Sequence, residues 1–382
     1  MIYDNKKNSP PEQASAAAGP GIIPAEKDLS VMEKRISIVI PNYNMAATVG
    51  KCLEAAFASE YGDFEVVVVD DCSDDNSIEV IEKYPCTLVR LKERSGTSIA
   101  RNTGANNSSG DLIFFIDADC LVLEDTLSII NSAFSGLGPE VVIGGTYTSM
   151  PYDKRFCSIF QSVFVNYFET KRLEDVDYIA AHAMVIDSRK FRESGGFPDF
   201  YLPIIEDVAF GHKLRSMGCK LVMAPGIQVR HIFDFSFPVS IRNAFRKSHY
   251  WCLYSLRARD MFVDSGCASF ELKADVALNF LSILFLALWA LTQNILFLTP
   301  VAALFLLNIF INRGLIKAFH RTKGALFAVK AFLYYSMIYP VPIGLATITA
   351  ILKHLSGKNG SSGQCSLLAG TNTAFDCKDN RL

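Results

Sequence analysis

Four short apolar runs, Ile36–Ile40, Val66–Val69, Thr87–Leu91 and Leu112–Ile116, constrain this chain most, because they are rich in Val and Ile and lack polar alternation. Strands buried on both faces of a mostly parallel sheet read this way. Between them Thr48–Ala58, Ser77–Lys83 and Thr97–Asn107 carry helical periodicity. The predicted order is therefore βαβα and the predicted class α/β, with no internal repeat. The fourth run ends in Phe115-Ile116-Asp117-Ala118-Asp119-Cys120, which delivers two carboxylates to the C-terminal edge of a strand. Open α/β sheets bind ligands at that edge. In extended backbone the even spacing puts both side chains on one side. Two hard oxygen ligands so placed suit Mg²⁺ or Mn²⁺ carrying a diphosphate.

The chain has 382 residues, enough for more than one domain. Its net charge of −2 supplies no argument for a nucleic acid partner, and none is expected. Ten cysteines are scattered without a Cys-x-x-Cys pair or a His/Cys cluster. Reduced thiols in a cytosolic compartment are the simplest reading. Residues 1–30 lack a basic region followed by an apolar core, so no signal peptide is expected and 1–33 reads as a flexible leader.

After a domain expected over 34–235, the composition changes. A basic amphipathic, membrane-proximal region is expected over 236–275 and two to three membrane helices over 276–353, then a disordered tail over 354–382. Val276 to Asn312 contains no charged residue, a length that suits two short membrane helices turning at Gln293-Asn294 or Thr299-Pro300, or a buried soluble hairpin. A third apolar segment, Ala331–Leu352, carries Pro340, Pro342 and Gly344 and either spans the bilayer or lies in it as a broken helix. Arg242, Arg246, Lys247, Arg257 and Arg259 precede the first hairpin, and Arg313, Lys317, Arg321 and Lys323 follow it. By the positive-inside rule both flanks are cytoplasmic, so the expectation is a multi-pass protein of the plasma (inner) membrane with its α/β domain in the cytoplasm.

Ser37-Ile-Val-Ile-Pro-Asn-Tyr-Asn44 runs a strand into a turn, with Pro41 ending the ladder and the Tyr43 ring available to stack on a base. Val66-Val-Val-Val-Asp70-Asp71 brings adjacent carboxylates to the same edge, where one can accept from a uracil N–H or a ribose hydroxyl. Asp74, Asp75 and Asn76 are expected to cap the next helix. Within Gly96-Thr-Ser-Ile-Ala-Arg101-Asn102-Thr-Gly104, the Arg101 guanidinium has three readings: a brace on Asp70 and Asp71, a bidentate diphosphate contact, or a surface ion pair.

Taken in order, Ile-Pro-Asn-Tyr-Asn, Val-Val-Asp-Asp-Cys-Ser, Ala-Arg-Asn-Thr-Gly and Asp-Ala-Asp resemble the family 2 inverting glycosyltransferases of the GT-A fold, over about Ile36 to His231. The resemblance implies a Rossmann-like, mostly parallel catalytic domain followed by transmembrane helices. It implies a nucleotide-sugar donor, UDP-linked by preference, held at Pro41, Asp70, Asp71 and Arg101, with Tyr43 and Asn44 of the first motif in the same site. Asp119 becomes a Mg²⁺ or Mn²⁺ ligand, and Asp117 a ribose or diphosphate contact and second metal candidate. Phe191-Arg-Glu-Ser-Gly-Gly-Phe197 and Ile205-Glu206-Asp207-Val-Ala-Phe resemble the family's acceptor-side motif, which makes Asp207 the general base and Glu206 its alternative. A carboxylate at a helix N-terminus is expected to keep a low pKa, held by the dipole and backbone N–H groups. Leu221–His231 reads as a strand pair whose terminal His231 is a third candidate ligand.

Two departures stand out. Many relatives have a Gly-Ala-Asn-type segment where this chain has Ala180-Ala-His182-Ala183-Met184, which leaves acceptor contacts open. The Gln-x-x-Arg-Trp signature of processive synthases is missing; Arg242-Asn-Ala-Phe-Arg246-Lys-Ser-His-Tyr-Trp251 stands there instead. Arg242, Arg246, Lys247 and His249 are candidates for anionic headgroups or an acceptor phosphate. The expected activity is metal-dependent, non-processive transfer to a lipid-linked or membrane-borne glycan, in polysaccharide or cell-envelope synthesis at a lipid surface. The alternatives are a polyprenyl-phosphate glycosyltransferase, a processive polysaccharide synthase, or a degenerate nucleotide-binding membrane scaffold.

Overall fold

The computed structural model describes residues 33–198 and 202–356. The leader expected over 1–33 lies outside the described residues except for Glu33, and so does the expected tail beyond Ser356. The first half alternates as its apolar runs dictate: β1 (Ile36–Asn42), α1 (Val49–Phe57), β2 (Phe64–Asp70), α2 (Ser77–Ile81), β3 (Thr87–Arg90), α3 (Thr97–Asn106) and β4 (Leu112–Phe115). The second half adds β5 (Cys120–Val122), α4 (Thr126–Phe134), β6 (Val141–Tyr147), α5 (Phe156–Thr170), β7 (Met184–Asp187), α6 (Ser188–Ser194), α7 (Glu206–Ser216) and β8 (Lys220–His231).

These strands form one sheet in the order β3-β2-β1-β4-β7-β6-β8-β5. β1 to β4 pair in parallel, whereas β7 runs antiparallel to both β4 and β6, and β5 antiparallel to β8. The parallel half explains the continuous apolar runs. Val66 and Val68 pack on one face with Ile38 and Ile40, while Val67 and Val69 pack on the other against Ala100, and none exceeds 2 % exposure. Leu221–His231 is not the strand pair expected from sequence. It belongs to a single strand that shifts register against β6 between Gly144 and Thr146, so Pro225 and Gly226 pass without breaking it.

The C-terminal part is helical: α8 (Phe237–Ala258), α9 (Phe270–Thr292), α10 (Leu298–Ile311), α11 (Arg313–Leu333), a π-helical turn Tyr334–Ile338, and α12 (Pro340–Leu355). The hairpin between α9 and α10 turns at Gln293-Asn294, where Gln293 takes a left-handed conformation. α12 reaches Leu355, so the first residues assigned to a tail are helical. Phe270–Thr292 and Arg313–Leu355 are both long and apolar enough to cross a membrane. The most apolar window of α9 is only 6 % buried, and Leu284, Leu291, Leu306 and Phe310 are exposed. Apolar surface on that scale demands a partner other than water. The third apolar segment stays helical: the π-helical turn leads through Tyr339, at φ −62° and ψ −33°, into α12, which packs on α8 and α9, and the non-helical break lies earlier, at Lys323-Gly324 within α11. An aromatic layer joins this part to the sheet domain, with Phe160 of α5 against Phe319, Tyr334 and Tyr339.

Candidate active site

β4 ends at Phe115, and its ladder continues one step through Ile116 N–H donating to Val39 O. The chain then turns, with Cys120 N–H donating to Asp117 O, so the Asp-Ala-Asp segment is not extended as its even spacing had implied. The turn separates the two carboxylates. Asp119 is carried toward β8 by β5, whose Cys120 sits opposite His231 in the ladder, and Ile232 N–H donates to Asp119 O at 2.8 Å. His231 Nε2 therefore lies 3.4 Å from Asp119 Oδ1. The imidazole stacks on Phe233 at 3.8 Å and meets Tyr147 edge-on at 4.9 Å, which fixes its plane.

Asp117 turns to Arg101. The guanidinium is 4 % exposed and bridges two carboxylates, Asp117 Oδ1 at 2.8 Å and Glu206 Oε1 at 2.5 Å. Arg101 braces the motif of β4 against the start of α7, and its ion pairs do not go to Asp70 or Asp71. The adjacent Asn102 clasps the Gly196-Phe197 loop, donating to Phe197 O and accepting from Phe197 N–H, both at 2.8 Å. Sequence reasoning passed over Asn102, although it neighbours the arginine in the same motif. Ile205, just before α7, has φ 81°. A β-branched residue in the left-handed region carries roughly 1–3 kcal/mol of strain, and here it sets the direction in which Glu206 and Asp207 leave the loop.

Asp207 accepts from Val208 N–H at 2.9 Å and from Ala181 N–H at 3.4 Å. Its carboxyl does not keep the low pKa expected of a helix N-terminus. Burial first, and then the Glu206 charge, push it up to about 6, against the opposing pull of Arg101 and Val208 N–H. Asp119 is pushed up to about 7 by burial and by the charge of Asp117, whereas the Arg101 guanidinium holds Asp117 low in spite of burial. Burial lowers His231 to about 3, so its imidazole is neutral at physiological pH and free to coordinate.

The donor set fits a divalent cation. His231 Nδ1 is buried without a hydrogen-bond partner, and Asp119, Cys120 and His231 bring their ligand atoms within 4.8 Å of one another. Ligands around an ion at ~2.1 Å stand about 3 Å apart, close to the Asp119–His231 separation. Burial, and then the charges of Asp119 and Asp117, raise the Cys120 thiol well above its usual pKa, which makes it the weakest of the three ligand candidates.

Asp70 and Asp71 organise loops. Asp70 accepts from Asn42 Nδ2 and from both the N–H and the hydroxyl of Ser73. Asp71 accepts from Ser95 N–H at 2.6 Å and Gly96 N–H at 2.8 Å, where Gly96 at φ 91° allows the turn into α3. A carboxylate has about four acceptor sites, so Asp70 retains one and Asp71 two for a ligand. Asn44 accepts from Asp74 N–H, and Arg94 covers the Tyr43 ring at 4.0 Å. At the start of α2 Asp75 accepts from Ser77 N–H at 2.9 Å, whereas Asn76, at the N-cap position, makes no side-chain capping bond. Pro41 lies half-buried in β1, opposite Val69.

With this geometry in view, residues 37–186 match the model of Glycosyl transferase family 2. The chain carries a family 2 glycosyltransferase domain. Glycosyltransferase GlyA of Streptococcus pneumoniae serotype 4 is 26 % identical over 181 residues, 43 % of this chain and 26 % of GlyA. Glycosyltransferase AglE of Haloferax volcanii is 34 % identical over 123 residues, 30 % of this chain and 40 % of AglE. An uncharacterized glycosyltransferase of Haemophilus influenzae is 28 % identical over 197 residues, 46 % of this chain and 63 % of that protein. The chain thus spans from 26 % to 63 % of the length of these relatives. Among solved structures, the mannosyltransferase PcManGT from Pyrobaculum calidifontis superposes with a TM-score of 0.52 at 19 % identity, covering 86 % of this chain and 88 % of that one. This likeness establishes the GT-A-like fold.

The family 2 match stops short of Glu206, Asp207 and His231, which the fold returns to the matched half. A cavity of about 490 Å³ opens beside Glu206 and Asp207. Asp117, Arg101, Glu206 and Asp207 line it, together with Lys247 and Trp251 of α8, Val276 of α9, and Ile343 and Thr347 of α12. Of the basic residues expected at a lipid surface, Lys247 lines this cavity. The His249 ring directs Nδ1 at Thr349 Oγ1, 3.1 Å away, and Ala346 O, 3.4 Å away, on α12.

Proposed function

We propose that the chain is an inverting glycosyltransferase that moves a sugar from a nucleoside-diphosphate donor, UDP-linked by preference, to a hydroxyl of a lipid-linked or membrane-borne glycan. The observation that carries this reading is the single cavity running from the Asp207 carboxylate to the apolar helices α9 and α12. A soluble acceptor would not require the apolar end of that cavity. α9 and the α11–α12 stretch anchor the enzyme in a bilayer with the family 2 domain on the cytoplasmic side, where the basic flanks of the hairpin belong.

The step is a displacement. The acceptor hydroxyl gives its proton to Asp207 while its oxygen bonds to the anomeric carbon. The bond from that carbon to the diphosphate oxygen breaks, and the nucleoside diphosphate leaves with the electron pair. Attack opposite to the leaving group inverts the anomeric configuration. A base near pKa 6 is ionised at neutral pH and still basic enough to take the proton as the new bond forms. Arg101 consumes Glu206 in an ion pair, which favours Asp207 of the two as base. Asp119 and His231 would hold Mg²⁺ or Mn²⁺, whose charge supplies leaving-group stabilisation when bound. The structural relative PcManGT is in complex with GDP-Man and Mn²⁺, which supports a metal-dependent sugar-nucleotide site here and leaves the base of the nucleotide to assay.

The test is hydrolysis and transfer by the full chain in native-membrane vesicles, with UDP- and GDP-sugars, with and without Mn²⁺. Metal-dependent release of nucleoside diphosphate is expected, with transfer into a lipid-extractable product. Absence of both with every donor would remove the enzyme reading, and a water-soluble product alone would remove the lipid-linked acceptor.

A further inference from the structure

We infer that Glu169 and His182 form a sugar-hydroxyl site in the cavity, a subsite deepening the glycosyltransferase reading on which it rests. Glu169 lies on α5 and His182 in the short 3₁₀ turn Ala181–Ala183 before β7, so the two meet only through the fold. Each is 8 % exposed, and both line the cavity with Asp117 and Asp207. Each side chain is also held in place. Thr146 Oγ1 donates to Glu169 Oε2 at 2.7 Å, and the His182 ring lies flat on Tyr147, 3.9 Å between centroids at 22°.

His182 Nε2 is 3.4 Å from Glu169 Oε2, but the two do not share a hydrogen bond, and the nitrogen is buried without a partner. Both of these contacts of Glu169 go to Oε2, and Oε1 takes no hydrogen bond among the described residues, though it is not one of the fully buried unpaired atoms. A buried polar atom left unpaired costs free energy unless a ligand or water completes it. Two atoms 3.4 Å apart can both reach one oxygen about 2.8 Å from each. A hydroxyl there donates to Glu169 Oε2 and accepts from His182 Nε2–H, and the adjacent hydroxyl of the same ring donates to Oε1. A carboxylate beside an imidazole thus reads neighbouring hydroxyls. The ring is either the transferred sugar of the donor or the first sugar of the acceptor.

The experiment compares wild type with Glu169→Gln and His182→Asn in the full chain. One arm measures metal-dependent hydrolysis of UDP-glucose, UDP-N-acetylglucosamine and GDP-mannose without acceptor. The other measures transfer to octyl glycosides at saturating donor. Loss of one such contact is expected to raise KM about 10- to 100-fold, with a smaller change in kcat. A rise in the hydrolysis arm assigns the donor sugar, and a rise confined to the octyl glycoside assigns the acceptor. Deoxy analogues lacking the contacted hydroxyl should weaken wild type and add nothing to the variants. Mn²⁺-dependent UDP binding, unchanged in both variants, verifies that they are folded; if one is not, the other carries the test. Unaltered KM in both arms overturns the site while leaving the enzyme reading intact. A wild type inert towards every donor overturns both.

Discussion

Replacing Asp207 with Asn is expected to abolish transfer and, at neutral pH, to stabilise the protein. The carboxyl titrates near 6 in the fold against a reference of 3.8, because burial and Glu206 disfavour its charge. Each pKa unit is worth 1.36 kcal/mol, so a rise of about 2 units destabilises the folded chain by up to about 3 kcal/mol wherever Asp207 is ionised in both states. The sign follows from proton binding. Below about pH 3.8 both states are protonated and the penalty is absent; it grows as pH rises and is complete above about pH 6. Asn carries no charge and escapes this term, but its NH₂ replaces one of the two oxygens that accept from Val208 N–H and Ala181 N–H, a loss that does not depend on pH. The electrostatic part of its advantage should be about 3 kcal/mol at pH 7.5 and about 1 kcal/mol at pH 4.5. Thermal unfolding of detergent-solubilised full chain, free of metal and nucleotide, at those two pH values is the assay. A higher midpoint for the variant at pH 7.5, shrinking at pH 4.5, is expected, together with a loss of transfer of about 10²- to 10⁴-fold for a missing base. A difference between variant and wild type that does not grow in the variant's favour from pH 4.5 to pH 7.5 would refute the electrostatics, since the carboxylate would then be stabilised by its contacts rather than strained.

At saturating Mn²⁺, the acidic limb of kcat/KM should fall near pH 6, and Glu206→Gln should move it to lower pH by removing a like charge; a limb that stays put would count against Asp207 as the base. Arg101→Met strands Asp117 and Glu206 without their shared cation, so stability should drop by about 3–5 kcal/mol in chemical denaturation. His231→Ala and Asp119→Ala should each weaken Mn²⁺ binding by at least about tenfold in calorimetry while UDP binding without metal stays unchanged. Gly344→Ala places a methyl 2.2 Å from the Phe280 ring, where α12 crosses α9, and should cost about 1–3 kcal/mol of thermal stability without altering Mn²⁺ affinity.

Much of the fold was legible because burial on both faces of a parallel sheet leaves a local mark. The four Val/Ile-rich runs match β1 to β4 within a few residues, and the helices between them match as closely. Polar residues interrupting an apolar stretch marked two possible hairpin turns, and the structure takes Gln293-Asn294 while Thr299-Pro300 opens α10. β8 was misread because Pro225 and Gly226 usually end strands, and only pairing with β6 shows that a register shift absorbs them. The pKa of Asp207 was misread because a helix N-terminus is a local feature, whereas burial and the neighbouring Glu206 charge outweigh it in the folded site.

By itself the sequence determined which residues carry charge, which runs must be buried, and that carboxylates stand where strands end. Those properties are local, written in hydropathy and in spacing along the chain. The tertiary structure alone decided who faces whom. Arg101 meets Asp117 and Glu206 across 16 and 105 residues of chain, and Glu169 reaches His182 only because α5 and the turn before β7 converge. A side chain's partner depends on how strands are ordered and registered across the sheet. Strand order is fixed by packing the whole chain, so no local stretch encodes it.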